Sequence, residues 1–140
     1  MLSKHPEQCR FPHGHTRTIE VVVASETLDA NDMVLDFKAL KLAVGAYIDR
    51  LDHAMALNSN DPLLPALRQV HPDSILEFED TDPTTEVMAR DLFDHIDEVL
   101  RTGFEGESSS CITYRIEPGI VTLERVRVWE TPSSWAEYSR

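Results

Sequence analysis

From Pro83 to Gly103 the chain carries one apolar stripe, Val87, Leu92, Ile96 and Leu100, at helical spacing. Pro83 suits a first turn, Glu86 and Asp91 lie toward the positive end of the helix dipole, and Gly103 supplies the stop. A helix with a single apolar side needs a second layer to cover it. A matching stripe, Phe37, Leu40, Val44, Tyr47, Ile48 and Leu51, follows Asp36, which is placed to cap the helix start. Two helices therefore seek a common sheet.

Three segments can supply it. The run TRTIEVVVA, Thr16 to Ala24, is rich in β-branched residues, and Ser25 to Asp32 adds turn chemistry after it. Cys111 to Ile116 and Ile120 to Trp129 read as strands joined at Glu117-Pro118-Gly119. Between the helices, four prolines and many Asn, Asp and Ser residues interrupt any long period, so residues 52–83 read as a long, partly ordered connection. Within it, Ile75 to Phe78 has the composition to pair as a short strand. The expected order is β, α, loop, α, β, β, an α+β fold with both helices on one face of an antiparallel sheet. A length of 140 residues fits one domain, residues 1–140.

The formal charge of −12 repels phosphate backbones and anionic membrane surfaces, so neither nucleic acid nor membrane is an expected partner. Two cysteines, no leader and no long apolar run make the cytoplasm the expected compartment and a disulfide unlikely.

The chemistry-bearing residues fall into small groups. In CRFPHGH, His13 and His15 at the start of a strand place both imidazoles on one face, and zinc accepts such nitrogens. HxH supplies two of the three protein ligands of a catalytic zinc, and as a bare pattern it equally suits a polar strand end. Cys9, in a loop with Arg10, is a candidate base or nucleophile or else an inert thiol. Asp52 beside His53 can form an acid–base pair, although Asp and His are common at helix ends. Glu130, after the last strand, can pair with two adjacent N–H groups of a planar heterocycle or lie solvated.

Taken in order, Cys-x3-His-Gly-His, Leu51-Asp52-His53, Pro83-Thr84-Thr85-Glu86 and Glu130-Thr131 resemble the 6-pyruvoyltetrahydropterin and 6-carboxytetrahydropterin synthase family. Asp36-Phe37-Lys38-Ala39-Leu40-Lys41 is similar to the family's Asp-Phe segment at the first helix. The resemblance implies that His13 and His15 are zinc ligands, Cys9 the catalytic thiol, and Asp52 with His53 the rest of a proton relay. It implies that Glu130 anchors a pterin ring and that Thr84 and Thr85 lie in the pterin site. It further implies the tunnelling fold (T-fold), with sheets joined into a barrel in a homo-oligomer, commonly a hexamer. The activity it implies is a zinc-dependent lyase acting on 7,8-dihydroneopterin triphosphate.

The chain departs from that pattern at its start. The family's first zinc histidine ends a strand well upstream of the cysteine, and only eight residues precede Cys9. Either the coding start is placed too late or the strand and ligand have been lost; His5 is a poor substitute. The strong negative charge suits an anionic triphosphate only if Lys4, Arg10, Arg17 and others gather at the cleft entrance. Two rival readings follow: a catalytically weak pterin-binding oligomer, and an acidic interaction domain with neither zinc nor pterin.

Overall fold

A computed structural model describes residues Met1–Arg140. Its central sheet has the order β1-β6-β7 and is antiparallel throughout, built from β1 (Thr18–Ala24), β6 (Thr122–Thr131) and β7 (Ser134–Ser139). The first strand thus lies where the β-branched run predicts it, two residues shorter at its start. A hairpin of β4 (Phe104–Glu107) and β5 (Thr113–Ile116) forms a separate antiparallel pair. The two strands expected on either side of Pro118 both exist, but they belong to different sheets. The turn between them is exposed and tied to the end of the second long helix, where Gly119 N–H donates to the carbonyl of Leu100.

Helix α1 (Phe37–Asp49) starts as expected, with Asp36 accepting a hydrogen bond from Lys38 N–H at 2.6 Å. Its stripe faces the core as expected except at the first residue: Leu40, Tyr47, Ile48 and Leu51 pack against the buried cluster. Ala39 and Val44 are buried, whereas Phe37 is exposed on the first turn. Helix α3 (Thr85–Thr102) begins two residues later than Pro83, because the Thr84 hydroxyl caps it by accepting from Val87 N–H. It ends at Gly103, whose φ of +83° favours glycine and whose added Cβ would sit 2.8 Å from the Ile116 carbonyl oxygen.

The main core lies between α3, α1 and the inner faces of the strands. Ala89, Leu92, Phe93, Ile96 and Leu100 from α3 meet Leu123, Val126 and Val128 from β6, with Ile19, Val21 and Val23 of β1 alongside. Leu123 and Val126 are three apart yet both buried, which strict alternation forbids. A bulge that leaves Glu124 unpaired against β1 shifts the phase. A second bulge falls at Glu130, between the Trp129–Trp135 and Thr131–Ser134 pairs.

The long connection is more ordered than its composition suggests. It contains β2 (Met55–Asn58), α2 (Leu64–Val70) and β3 (Ile75–Phe78), with β2 and β3 paired in parallel. Leu57 and Leu64 are buried within this unit. No strand precedes β1; the N-terminal segment instead makes a single 3-10 turn at Gln8–Arg10. No helix is long and apolar enough to cross a membrane.

Candidate functional site

Beyond the end of the central sheet lies a cleft of about 810 Å³, within the range of small-ligand sites. Its walls carry Cys9, His13, His15, Asp52, His53, Thr84, Thr85 and Glu130. Residues from four separate stretches of the chain therefore face one space, and all eight are those singled out from the sequence. His5 lies outside it, its Nδ1 accepting from Glu7 N–H at 3.1 Å.

Glu130 continues the inward row of β6 after Val126 and Val128, at the bulge that frees it from pairing. Arg17 and His15 come from the stretch that leads directly into β1. The result is a compact network. Glu130 Oε2 accepts from the Thr85 hydroxyl and from Arg17 Nη1 at 3.2 Å, and Oε1 lies 3.3 Å from His15 Nε2. Arg17 Nη1 also donates to Thr85 Oγ1 at 2.8 Å. Burial pushes the Glu130 carboxyl up, but the Thr85 hydroxyl, Arg17 and His15 outweigh it and hold it below the usual carboxylate value. Burial also lowers the basicity of His15, with Glu130 opposing and Arg17 and His13 reinforcing the effect. His15 thus turns Nε2 toward Glu130 Oε1, which leaves Nδ1 unengaged by the carboxylate.

His13 and His15 precede β1 rather than lying in it, so strand alternation is not what brings them together. Their rings still meet edge to face with centroids 4.9 Å apart. His13 Nδ1 is 2.6 Å from the Phe11 carbonyl oxygen, which can only accept, so Nδ1 carries the proton and Nε2 keeps a lone pair. Donation of the far ring N–H to a carbonyl is the usual support for a metal-ligating histidine. The donor chemistry suits zinc for these two residues. No set of three His, Cys, Asp or Glu side chains converges to hold a metal ion.

Asp52 and His53 do touch, with His53 Nδ1 3.0 Å from Asp52 Oδ1. Both are exposed at the cleft rim, in the turn that leads from α1 into β2, where His53 adopts a φ of +53°. Cys9 is a free, half-buried thiol carried by the 3-10 turn rather than by an open loop.

In the sequence Arg17 stands out only as one of several cations expected at the entrance. Its place between His15 and the β-branched run was the available signal. Lys4 and Arg10 do not join it. Lys4 Nζ donates to the Asp80 carbonyl oxygen, and the Arg10 guanidinium lies over the Phe11 ring, 5.1 Å from its centroid.

These features define an α+β protein with a cleft whose walls combine a hydrogen-bonded carboxylate, two imidazoles, a thiol and an exposed His–Asp pair. The chain belongs to the 6-pyruvoyl tetrahydropterin synthase family, whose pattern matches residues 1–140. It is 34% identical to the 6-carboxy-5,6,7,8-tetrahydropterin synthase of Aquifex aeolicus, with 96% of this chain and 78% of that protein covered. The same-named protein of Bacillus subtilis is 30% identical, covering 93% and 69%. Among solved structures, an uncharacterized protein from Wolinella succinogenes superposes with a TM-score of 0.67 at 25% identity, covering 94% of this chain and 81% of that one.

Proposed function

We propose that this chain is a zinc-dependent lyase that converts 7,8-dihydroneopterin triphosphate and one water to 6-carboxytetrahydropterin, acetaldehyde and triphosphate, as a step toward 7-deazaguanine (queuosine) compounds. The relatives' shared name favours this product over 6-pyruvoyltetrahydropterin, the other outcome of the same chemistry. One observation carries the reading: Glu130, engaged with Thr85 at the start of α3, shares one cleft with Cys9, the two histidines and the Asp52–His53 pair.

In this reading Glu130 accepts hydrogen bonds from the N–H edge of the pterin ring, and Thr84 and Thr85 border the ring. Cys9 removes or returns the proton on the ligand's side chain, and His53, oriented by Asp52, serves the opposite side. His13 and His15 would hold the zinc, which when bound polarises the side-chain hydroxyls and acidifies the neighbouring C–H. Arg17 is the one Lys or Arg side chain on the cleft wall, so it would meet the anionic arm of the ligand.

The sheet is read as one protomer's share of the T-fold barrel in a homo-oligomer, a hexamer by family resemblance. The free outer sides of β1 and β7 support that reading, because unpaired strand edges favour pairing with another copy. The two free cysteines suit a reducing compartment such as the cytoplasm.

A second reading keeps the ligand and drops the turnover. It is favoured by the two-histidine metal set, which lacks a third protein ligand within the chain. Both readings require pterin binding. Calorimetric titration with 7,8-dihydroneopterin, which lacks the triphosphate, is expected to give saturable binding. Glu130→Gln turns one acceptor into a donor facing a donor, at a cost of about 1 to 3 kcal/mol, or about tenfold to a hundredfold in affinity. Equal affinity in both proteins, or no binding in either, would overturn the pterin assignment.

A further inference from the structure

We infer that Asp82 is a positioning residue that clamps the N-terminal segment where it presents Cys9 to the cleft. The inference rests on the reading of Cys9 as the catalytic thiol, and it gives the long connection between Asp52 and Pro83 a purpose.

Cys9 Sγ makes no hydrogen bond of its own, so the thiol is placed by its backbone. The Cys9 carbonyl oxygen accepts from Leu2 N–H at 2.8 Å, and the next two residues are fastened to a single carboxylate. Asp82 Oδ1 accepts from the Ser3 hydroxyl at 2.7 Å, and Oδ2 from Lys4 N–H at 2.8 Å. A third donor, Asn58 Nδ2, reaches Oδ1 at 3.0 Å from the end of β2. Asp82 is only 7% exposed, and a carboxylate so buried is tolerable only when its oxygens are satisfied. Burial raises its pKa, yet the donors from Ser3, Lys4 and Asn58 win and hold it below the ordinary 3.8. The charged, accepting form is therefore the one that persists at neutral pH.

The main chain of Asp82 ties in a third part. Its carbonyl oxygen accepts from Thr84 N–H at 2.8 Å, at the start of α3. One residue thus links the segment bearing Cys9, the β2–β3 pair and the helix start that carries Thr84 and Thr85. The β2–α2–β3 unit acts as the base against which the thiol is set.

A catalytic group displaced by about 1 Å can lose about a hundredfold in rate, so the clamp should act on kcat. The test uses the full chain, zinc-loaded, as Asp82→Asn and as Ser3→Ala. The second removes one donor and leaves Asp82 paired with Lys4 and Asn58, so it remains informative if the first fails to fold. Alkylation of Cys9 by iodoacetamide, followed by mass spectrometry with exposed Cys111 as internal reference, reads the placement without relying on catalysis. The expected result is a change of about threefold or more in the Cys9 rate relative to Cys111, larger for Asp82→Asn than for Ser3→Ala, with kcat lowered about tenfold or more and KM nearly unchanged. An unchanged Cys9 rate in both folded variants would overturn the clamp. Full turnover by Cys9→Ala would instead overturn the catalytic role of the thiol and leave the alkylation result to decide the clamp.

Discussion

Arg17 Nη1 lies 3.2 Å from Glu130 Oε2, and the Thr85 hydroxyl occupies the same oxygen. A carboxylate offers about four acceptor positions, two per oxygen, so Oε2 is full while Oε1, facing His15, has one left. A ring edge that pairs with both oxygens cannot bind until Oε2 loses a donor. Arg17 makes the longer contact, and it alone among the cleft's Lys and Arg groups could turn to an anionic arm. Arg17→Met is therefore expected to leave binding of neutral 7,8-dihydroneopterin unchanged or tighter by up to about tenfold, and to weaken binding of the triphosphate ester by about tenfold. Parallel calorimetric titrations check this; equal weakening of both ligands would make Arg17 a support for Glu130 rather than a competitor.

The metal prediction concerns His13 and His15. After saturation with zinc and dialysis, the native protein should retain metal and the His13→Ala/His15→Ala double variant should not. Two histidines give weaker binding than three, so retention should fall as competing chelator is raised. Equal zinc in both proteins would remove the assignment.

A pH effect on stability is expected from His95. Its ring stacks on Tyr47 with centroids 3.7 Å apart, and Arg50 covers Tyr47 at 3.8 Å. Burial, then Arg50, lower the His95 pKa from 6.5, with Asp91 opposing. Asp91 is also the acceptor of the Tyr47 hydroxyl at 2.7 Å, and burial with that bond pushes Tyr47 up to about 12. Because the unfolded chain takes up the His95 proton more readily, this contribution is complete above about 6.5 and is lost as pH falls through the folded value. His15 acts in the same direction. Urea midpoints measured across that window should decline toward acid, and His95→Gln should make the decline shallower. An identical slope would show that His95 titrates alike in both states.

In the core, Phe93 is 1% exposed and meets Tyr138 edge to face at 5.2 Å. Phe93→Ala should cost about 3 to 5 kcal/mol by urea denaturation, which a domain of this size can barely absorb. A cost below about 1 kcal/mol would mean that the site collapses around the gap.

What could be read from the sequence was local. The β-branched run before Ala24, the Asp36 cap and the Gly103 stop each carry their own signal and appear where expected. Ile75 to Phe78 also pairs as the short strand its composition suggests, whereas β2 and β4, four residues each, are too short for alternation to stand out and depend on partners elsewhere in the chain. Helix α2 has seven residues with a proline in its first turn. The strand β7 was missed because Ser134 to Ser139 holds only two core-facing residues, Ala136 and Tyr138. The eight residues that line the cleft together could be picked out because their types and order are sequence properties. The grip of Arg17 on Glu130 could not, since it depends on the register of β1 against β6 and on the bulge at Glu130.

The central claim is that this cleft performs the pterin synthase reaction. The most direct measurement is incubation of the zinc-supplied protein with 7,8-dihydroneopterin triphosphate, with the pterin product separated by chromatography and acetaldehyde trapped as it forms. The account predicts 6-carboxytetrahydropterin and acetaldehyde in equal amounts, with turnover lost in Cys9→Ala and sharply reduced in His53→Ala while pterin binding persists in both. Substrate left unconsumed by folded, zinc-supplied protein that still binds the pterin ring would contradict it and leave a binding protein in its place.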